Sequence, residues 1–321
     1  MPVRRFLVTA VAVGLVGFGL VGCSAAGEGD TSCVRPVSPD TELNAAVTGD
    51  FGSEPELDAY TPLHTEKVAW NDEITGDGTP VTTSDQLVLA DIVLFDGSNG
   101  ERLGATLFDG DLAQARLLSE WATTFPGLAD SLHCAREGSR VVTVLPPDDI
   151  PQQTAEGLGL AEGDSAVLSV DLRKVYLAKA DGADQFVADN GLPSVVRAPD
   201  GRPGVIVPDG APPADLEVRV LKKGDGPEVT DDVPVRVAYT GILWDTKKEF
   251  DSSWGKKPVA FSLDGVVKGF GDGLRGQTVG SQVLIVVPPE LGYGDKENGA
   301  VPADSTLVFV VDILGLDELP E

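Results

Sequence analysis

Residues 235–253, VRVAYTGILWDTKKEFDSS, contain the pattern that decides the fold of this chain. From Val235 to Tyr239, apolar residues alternate with other residues, which is the period-2 pattern of a strand that shows one face to a core. A polar turn at residues 245–248 then leads to Phe250 and Asp251, which the pattern places on the neighbouring strand. Two aromatic side chains and one carboxylate are thus predicted to lie on adjacent strands of one sheet.

Composition and charge are those of an ordinary globular protein long enough for two domains. The chain has 321 residues, of which 42% are hydrophobic, and its 38 glycines and 23 prolines indicate many turns in a strand-rich fold. Acidic residues outnumber basic ones by 51 to 24, and this excess argues against binding to nucleic acid. The sequence contains two histidines, His64 and His133, which argues against a zinc site, and no motif indicates a cofactor.

The first 23 residues have the features of a bacterial export signal. Arg4 and Arg5 precede an apolar run from Phe6 to Gly22 that is shorter and richer in glycine than a typical membrane-spanning helix. The four residues that end with Cys23, LVGC, resemble the lipobox of bacterial lipoproteins, in which the cysteine is lipid-modified. A plain secretory signal with an incidental cysteine is the alternative.

Lipidation would place the protein on the outer face of the bacterial cytoplasmic membrane, held by acyl chains on Cys23. Two further cysteines, Cys33 and Cys134, would then lie outside the cytoplasm. A disulfide between them is permitted there, and two free or buried thiols also fit the sequence.

The rest of the chain contains two diverged copies of one domain. Residues 76–78, GDG, match residues 224–226 at an offset of about 148 residues, and residues 144–148, VLPPD, match residues 286–290, VVPPE, at about 142. Strand-like runs fill both copies. Each copy also has one helix candidate, Leu112–Trp121 in the first and Val267–Leu274 in the second.

These patterns predict six segments along the chain. They are a signal peptide over 1–22, a flexible tether over 23–45, a degenerate first domain over 46–182, a linker rich in proline and glycine over 183–212, a second domain over 213–316 and a tail over 317–321. One strand is predicted inside the linker, at Val205–Val207.

The second copy carries several separate motifs in a fixed order. They are Tyr239-Thr240-Gly241, Phe250-Asp251-Ser252-Ser253, residues 266–270 (VVKGF), residues 288–294 (PPELGYG) and residues 306–309 (TLVF). This set resembles the FKBP-type peptidyl-prolyl cis-trans isomerases, and the resemblance covers residues 213–316. It implies an α+β fold with two FKBP-like domains, each an antiparallel β-sheet wrapped around a short α-helix, with a pocket between helix and sheet.

Isomerisation of an X-Pro bond needs neither a nucleophile nor a metal. Rotation breaks amide resonance over a barrier of roughly 18–20 kcal/mol, and a dry apolar pocket favours the twisted amide because it is less dipolar than the planar one. The resemblance implies that Asp251, Tyr293 and Phe270 are the catalytic residues. Tyr293 would donate a hydrogen bond to a substrate carbonyl, while Asp251 would act on the twisted amide or hold Tyr239. The implied substrate-binding residues are Tyr239, Phe250, Val259, Val266, Val267, Ala300, Val301 and Phe309.

The first copy lacks most of this set. At the offsets of the repeat, Asp91 stands in the position of Tyr239, Leu128 in that of Phe270, Pro151 in that of Tyr293 and Leu168 in that of Phe309, and Leu103-Gly104 stand near the place of Phe250-Asp251. A charged residue on the pocket wall and the loss of the hydroxyl donor predict that this copy does not bind a proline ring. Its expected role is structural or partner-binding.

The sequence therefore predicts an exported, lipid-anchored isomerase that acts on X-Pro bonds of exported proteins. The expected partners are Pro-containing segments of exported client proteins, the membrane through the lipid on Cys23, and rapamycin-type macrolides. The alternative is a non-catalytic chaperone or scaffold that binds Pro-containing segments. It stays open because Phe270 stands where this family usually has tryptophan.

Overall fold

The computed structural model describes residues 33–40, 45–186 and 191–319. The predicted signal peptide, 1–22, and Cys23 lie outside the described residues. Within the described ranges, no helix is long and apolar enough to cross a membrane. Two large antiparallel sheets, one in each copy of the repeat, form the framework of the fold. The predicted α+β class, with two sheets that each pack against short helices, is confirmed.

The first sheet follows a hairpin of β1 (Ala45–Thr48) and β2 (Glu56–Ala59). Its elements in chain order are β3 (Ala69–Ile74), β4 (Leu87–Asp96), β5 (Arg102–Ala105), β6 (Arg116–Leu117), α1 (Leu118–Thr124), α2 (Leu128–Leu132), β7 (Arg140–Leu145), α3 (Gln152–Leu158) and β8 (Ala166–Val175). The strand order is β3-β7-β8-β4-β5, with β6 also paired to β4. The helices α1 and α2 contribute to the core on one face of this sheet, and the β1–β2 hairpin covers the other face.

The second sheet is built in the same way. Its part of the chain contains β9 (Ala183–Asp184), β10 (Ser194–Arg197), β11 (Pro203–Ile206), β12 (Glu217–Lys223), β13 (Val235–Leu243), β14 (Glu249–Ser252), β15 (Val259–Phe261), α4 (Lys268–Leu274), β16 (Gln282–Val287) and β17 (Leu307–Leu316). The strand order is β14-β13-β17-β16-β12-β9, and β15 also pairs with β13. Helix α4 packs on β16, on the face that carries the main core of this domain.

The central strands are buried on both faces, which explains why they are almost continuously apolar in sequence. In the second domain the outer face is covered by a hairpin of β10 and β11, whose Val195 and Val205 pack against Trp244, Val308 and Val310. The segment predicted as a linker, 183–212, thus contains three short strands and covers a sheet. The strand predicted at Val205–Val207 is found at Pro203–Ile206.

Residues 33–40 fall within the predicted tether, 23–45, but they are fastened to the first domain. Cys33 and Cys134 form a disulfide, with 5.4 Å between their Cα atoms. The Arg35 guanidinium donates hydrogen bonds to both carboxylate oxygens of Asp72, at 2.7 and 3.0 Å, and to the carbonyl of His133 at 2.8 Å. The tether boundary is therefore corrected, because the chain is already held at Cys33.

The register of the strands corrects one residue correspondence between the two copies, the one predicted for Tyr239. In both domains the pairing of the two central strands shifts at the same place. The shift lies between Leu89 and Ala90 of β4, where Arg173 is the extra residue in β8, and between Arg236 and Val237 of β13, where Leu314 is the extra residue in β17. Counted from this shift, the counterpart of Tyr239 is Ile92, and the assignment of Asp91 is wrong. The first copy has one more residue before the strand, and a slip of one residue turns a side chain to the other face.

The helix predicted over Leu112–Trp121 is also wrong in extent. A 3₁₀ turn at Leu112–Gln114 is followed by β6, and α1 begins only at Leu118. Leu117 pairs with Leu87 of β4, so a long-range strand contact replaces the local helical spacing.

The two domains contact each other through an apolar interface with one polar network. Leu87, Leu89, Ala115, Tyr176, Ala238 and Leu314 form a buried cluster, which we call the interdomain cluster. Beside it, the Tyr176 hydroxyl donates to Asp317 at 2.8 Å, and the guanidinium of Arg236 donates to both oxygens of the same carboxylate at 2.6 and 3.0 Å. The backbone of Leu177 also donates to the carbonyl of Leu314 at 3.0 Å.

Asp312 links the interdomain segment to β17. Its buried carboxylate accepts hydrogen bonds from the backbone N–H of Ala180 at 2.8 Å and from Nε2 of Gln282 at 2.7 Å. Desolvation outweighs these two donors and raises the pKa of Asp312 to about 6.

A pH-dependent contribution to stability is expected from Asp312. Because its pKa is raised in the folded state, its stabilising contribution is present below about pH 4 and is lost as the pH rises to about 6. The unfolding free energy of the wild type minus that of Asp312→Asn should therefore fall by on the order of 3 kcal/mol between pH 4 and 7. Urea unfolding of both proteins across this range measures it, and a difference that is constant with pH would contradict it.

Candidate active site

Five aromatic side chains converge on the inner face of the second sheet. They are Tyr239 from β13, Phe250 from β14, Phe261 from β15, Phe270 from α4 and Phe309 from β17, and we call them the aromatic pocket. Neighbouring rings meet edge to face, with centroids 4.9 to 6.2 Å apart. This arrangement is the favourable one for aromatic pairs and fixes the orientation of each ring.

The position of Phe270 depends on glycines in α4. A Cβ atom at Gly269 would lie 2.4 Å from Cγ1 of Val287, and one at Gly273 would lie 2.7 Å from Cδ1 of Ile285. Glycine is unfavourable in a helix, but here it lets the helix backbone approach β16 closely. Phe270 is consequently pressed onto the sheet and is only 3% exposed.

Gly241 makes room for Phe250 in the same way. A Cβ atom at Gly241 would lie 2.6 Å from Cζ of Phe250, so the ring lies directly over the strand. The aromatic ring can therefore reach Phe309, with 5.7 Å between the centroids.

A tyrosine and a carboxylate join at the edge of the pocket. The hydroxyl of Tyr239 donates a hydrogen bond to Oδ2 of Asp251, while Oδ1 of Asp251 accepts from the backbone N–H of Ser252 at 2.9 Å. Burial, and then the neighbouring carboxylate, raise the pKa of Tyr239 above its usual range. Tyr239 thus stays protonated, and its hydroxyl is committed to Asp251.

Tyr293 supplies a hydroxyl that is still available. Its ring packs against the core beside the aromatic pocket and is half-buried. Among the described residues, its hydroxyl makes no hydrogen bond with the protein. A donor at the border of an apolar pocket can therefore bind a carbonyl of a bound molecule.

The structure brings most of the predicted site residues together. Those that line or adjoin the aromatic pocket are Tyr239, Phe250, Val266, Val267, Phe270, Tyr293, Val301 and Phe309. Asp251 joins them through Tyr239. Val259 is half-buried on β15 outside the core cluster, and Ala300 is exposed in the loop before Val301.

Phe261 is a pocket residue that the sequence reasoning missed. Its ring lies 5.7 Å from Tyr239 and 5.6 Å from Phe270, measured between centroids. The signal that could have found it is the alternation Val259-Ala260-Phe261, which places Phe261 on the same face as Val259. The strand is only three residues long, so the alternation is a weak sequence signal.

The corresponding region of the first domain is closed. By register, Leu94 takes the place of Gly241 and Gly104 that of Asp251, and Leu128 follows Gly127 as Phe270 follows Gly269. Leu94 is 5% exposed and belongs to the core, so its side chain occupies the place over the strand that the Phe250 ring takes above Gly241. Ile92, Leu128 and Leu168 are likewise buried.

One group of three possible metal ligands occurs in the described part of the chain. It consists of Cys33, His133 and Cys134, whose ligand atoms lie within 4.8 Å of one another. Both sulfurs are joined in the disulfide and are therefore not available as thiolates.

Comparisons with known proteins agree on the second domain. The family model described as "FKBP-type peptidyl-prolyl cis-trans isomerase" matches residues 226–314. The FK506-binding protein of Streptomyces anulatus is 36% identical over 120 residues, which are 36% of this chain and 97% of the relative. A probable FK506-binding protein of Corynebacterium glutamicum is 34% identical over 114 residues, or 35% of this chain and 97% of the relative.

A third relative matches this chain over less than half of its own length. The FKBP-type peptidyl-prolyl cis-trans isomerase FkpA of Escherichia coli is 39% identical over 107 residues, which are 33% of this chain and 39% of that protein. The matching region contains the aromatic pocket, Asp251 and Tyr293. The chain therefore belongs to the family of FKBP-type peptidyl-prolyl cis-trans isomerases.

Proposed function

We propose that the aromatic pocket of the second domain is the site at which this isomerase holds the proline ring of an X-Pro bond. The observation that carries the proposal is the pocket itself, in which five edge-to-face rings border one available hydroxyl. Phe270 forms the floor, and Phe250 and Phe309 form one wall. In this proposal the first domain has a structural role, since its corresponding space is filled by Leu94 and its neighbours.

The pocket lowers the barrier to isomerisation because it stabilises the twisted amide more than the planar one. In the transition state the amide loses resonance and part of its dipole, so an apolar surrounding stabilises it relative to the planar amide in water. The rings exclude water from the proline, and Tyr293 donates a hydrogen bond to a backbone carbonyl next to it. Asp251 acts as a positioning residue, because it fixes the Tyr239 ring through the hydroxyl.

Removal of the Tyr293 hydroxyl is expected to lower kcat/KM without unfolding the protein. Tyr293→Phe loses one neutral hydrogen bond in the transition state, which corresponds to a decrease of roughly threefold to tenfold. Asp251→Ala should give a decrease of the same order and release Tyr239. A peptide assay limited by proline isomerisation measures both variants.

The matched control for Tyr293→Phe is Tyr60→Phe. Tyr60 is 88% exposed and lies in the first domain, so its hydroxyl should not influence the rate. Full activity of Tyr293→Phe and Asp251→Ala would contradict the roles proposed for the Tyr293 hydroxyl and the Asp251 carboxylate. Tight binding of Pro-containing peptides with no acceleration above background would favour the non-catalytic chaperone or scaffold.

We also propose that the protein is exported and anchored by a lipid on Cys23, so that its clients are Pro-containing segments of exported proteins. Support comes from the basic and apolar residues before Cys23 and from the Cys33–Cys134 disulfide, a bond typical of oxidising compartments. Cys23→Ser is expected to move the protein from the membrane fraction to the soluble one or to leave it unprocessed. Normal processing and membrane retention of this variant would refute the anchor.

A further inference from the structure

The Tyr239–Asp251 pair at the edge of the aromatic pocket is fastened by the residues that directly follow Asp251. The backbone N–H of Ser253 donates to the carbonyl of Tyr239 at 3.0 Å, and the backbone N–H of Tyr239 donates to Oγ of Ser253 at 2.9 Å. The hydroxyl of Ser252 donates to the same carbonyl at 3.1 Å. The position of Asp251 relative to the Tyr239 hydroxyl therefore depends on where these two serines lie.

Trp254 anchors this segment from its other end. It is the only apolar side chain among residues 253–257, and the three residues after it are exposed. Its ring packs against the interdomain cluster, and its backbone N–H donates to Oγ of Ser252 at 3.3 Å. The ring also lies so close to Gly201 that a Cβ atom there would be 3.2 Å from Cη2 of Trp254. One side chain thus fixes the part of the chain that carries Asp251.

The first domain provides part of the surface against which Trp254 packs. The members of the interdomain cluster that belong to the first domain are Leu87, Leu89, Ala115 and Tyr176. Contacts therefore run from the first domain through the ring of Trp254 to the two serines, and from there to the Tyr239–Asp251 pair.

A cavity of about 450 Å³ between the domains borders both Trp254 and Ser253. Close packing is absent on that side, so the position of the ring depends on the contacts that the interdomain cluster makes with it. A cluster that loses a side chain leaves the ring free to move toward the cavity. The segment would then lose its anchor, and the geometry of the Tyr239–Asp251 pair would no longer be fixed.

The contribution of Trp254 comes from the packing of its ring and not from its N–H. Its Nε1 is buried and has no hydrogen-bond partner among the described residues, which costs free energy. The indole of Trp244, by contrast, donates to the carbonyl of Gly210 at 3.0 Å. Trp254→Phe keeps an aromatic ring without the unpaired donor and should therefore preserve the anchor.

We propose that Trp254 is a positioning residue for the isomerase reaction, which holds the Tyr239–Asp251 pair in place by packing against the interdomain cluster. The proposal rests on the function assigned to the aromatic pocket. The docked first domain then raises the rate of the second domain, although its own corresponding region is filled by buried side chains.

The first test uses variants of the full chain under conditions in which all of them are folded. The substrate is the short peptide Ac-Ala-Leu-Pro-Phe-NH2, whose cis–trans exchange is followed by NMR. Trp254→Ala should lower kcat/KM roughly threefold to tenfold, the decrease expected for Asp251→Ala, whereas Trp254→Phe should retain most of the activity. The double variant Trp254→Ala, Asp251→Ala should be no less active than Asp251→Ala alone, because Trp254 acts through Asp251. Two losses that multiply would overturn the proposal.

The second test changes only the first domain. Leu89 lies in the interdomain cluster and Leu128 in the core of the first domain, and both are buried. Leu89→Ala should lower kcat/KM severalfold, while Leu128→Ala removes the same atoms away from the interface and should leave it unchanged. A loss that only reflects destabilisation would appear in both variants. Full activity of Leu89→Ala would overturn the part assigned to the first domain.

These outcomes are distinct from a failure of the pocket assignment. No turnover by the wild type would contradict the function assigned to the aromatic pocket, and the positioning role with it. Full activity of Asp251→Ala would also overturn the positioning role, since Trp254 would have no residue to act through. Full activity of Trp254→Ala together with an impaired Asp251→Ala would overturn the positioning role alone.

Discussion

Replacement of Phe270 by alanine is expected to lower kcat/KM for a short X-Pro peptide roughly 100-fold. Phe270 contacts three of the other rings, with centroids 4.9 Å away at Phe309, 5.6 Å at Phe261 and 6.2 Å at Tyr239. Its removal admits water beneath the proline and leaves the twisted amide without its apolar floor. The unfolding free energy should fall by about 3–5 kcal/mol at the same time, because a large buried side chain is lost.

Leu128→Ala is the matched control for this substitution. Leu128 occupies the corresponding position of the first domain and is fully buried, so its truncation should cost about 2–5 kcal/mol of stability. Its kcat/KM should stay at the wild-type value, since buried aliphatic side chains fill the corresponding region of the first domain. Peptide assays and urea unfolding at a temperature where both variants are folded test this pair. Equal loss of activity in the two variants would refute the assignment of the aromatic pocket.

Arg140→Met is expected to lower the unfolding free energy by about 3–5 kcal/mol, because it leaves a buried carboxylate without its partner. Arg140 and Asp171 are each 1% exposed, and Nε and Nη2 of the arginine donate to the two carboxylate oxygens at 2.5 and 2.7 Å. The same guanidinium donates to the carbonyl of Gly49 at 2.7 Å, and Asp171 accepts from the backbone N–H of Gly52 at 2.6 Å. The pair therefore holds the loop of the β1–β2 hairpin on the first sheet.

Two other variants show whether burial causes this cost. Arg102→Ala breaks an exposed ion pair with Glu54 and should change the unfolding free energy by less than about 1 kcal/mol. The double variant Arg140→Met, Asp171→Leu should recover much of the stability lost in Arg140→Met, since no unpaired charge remains. Urea unfolding measures all three. A loss of less than about 1 kcal/mol in Arg140→Met would contradict the reasoning.

Sequence reasoning succeeded where the signal lies within a few residues. The alternation at β13 and the order of the motifs located Tyr239, Phe250, Phe270 and Phe309, and the structure places all four in one pocket. The short helix predicted at Val267–Leu274 is α4, which begins at Lys268. Such local patterns survive because each reports the burial of its own side chains.

The errors arose where a distant part of the chain decides the structure. A constant offset of the repeat predicts Asp91 on the pocket wall, but the first copy has one additional residue before β4, which places Ile92 there. Asp91 instead pairs with Arg173 at 2.7 Å. Likewise, pairing of Leu117 with β4 divides the stretch predicted as a helix. Neither partner strand can be identified from the residues next to it.

The β10–β11 hairpin changes where the isomerase can be cut out of the chain. The family match begins at residue 226, yet the hairpin that shields Trp244, Val308 and Val310 ends twenty residues earlier, at Ile206. A fragment trimmed to the family boundaries would expose these three side chains to water. The smallest transplantable catalytic unit therefore starts before Ser194, and gene fusions or domain swaps should keep that segment with the enzyme.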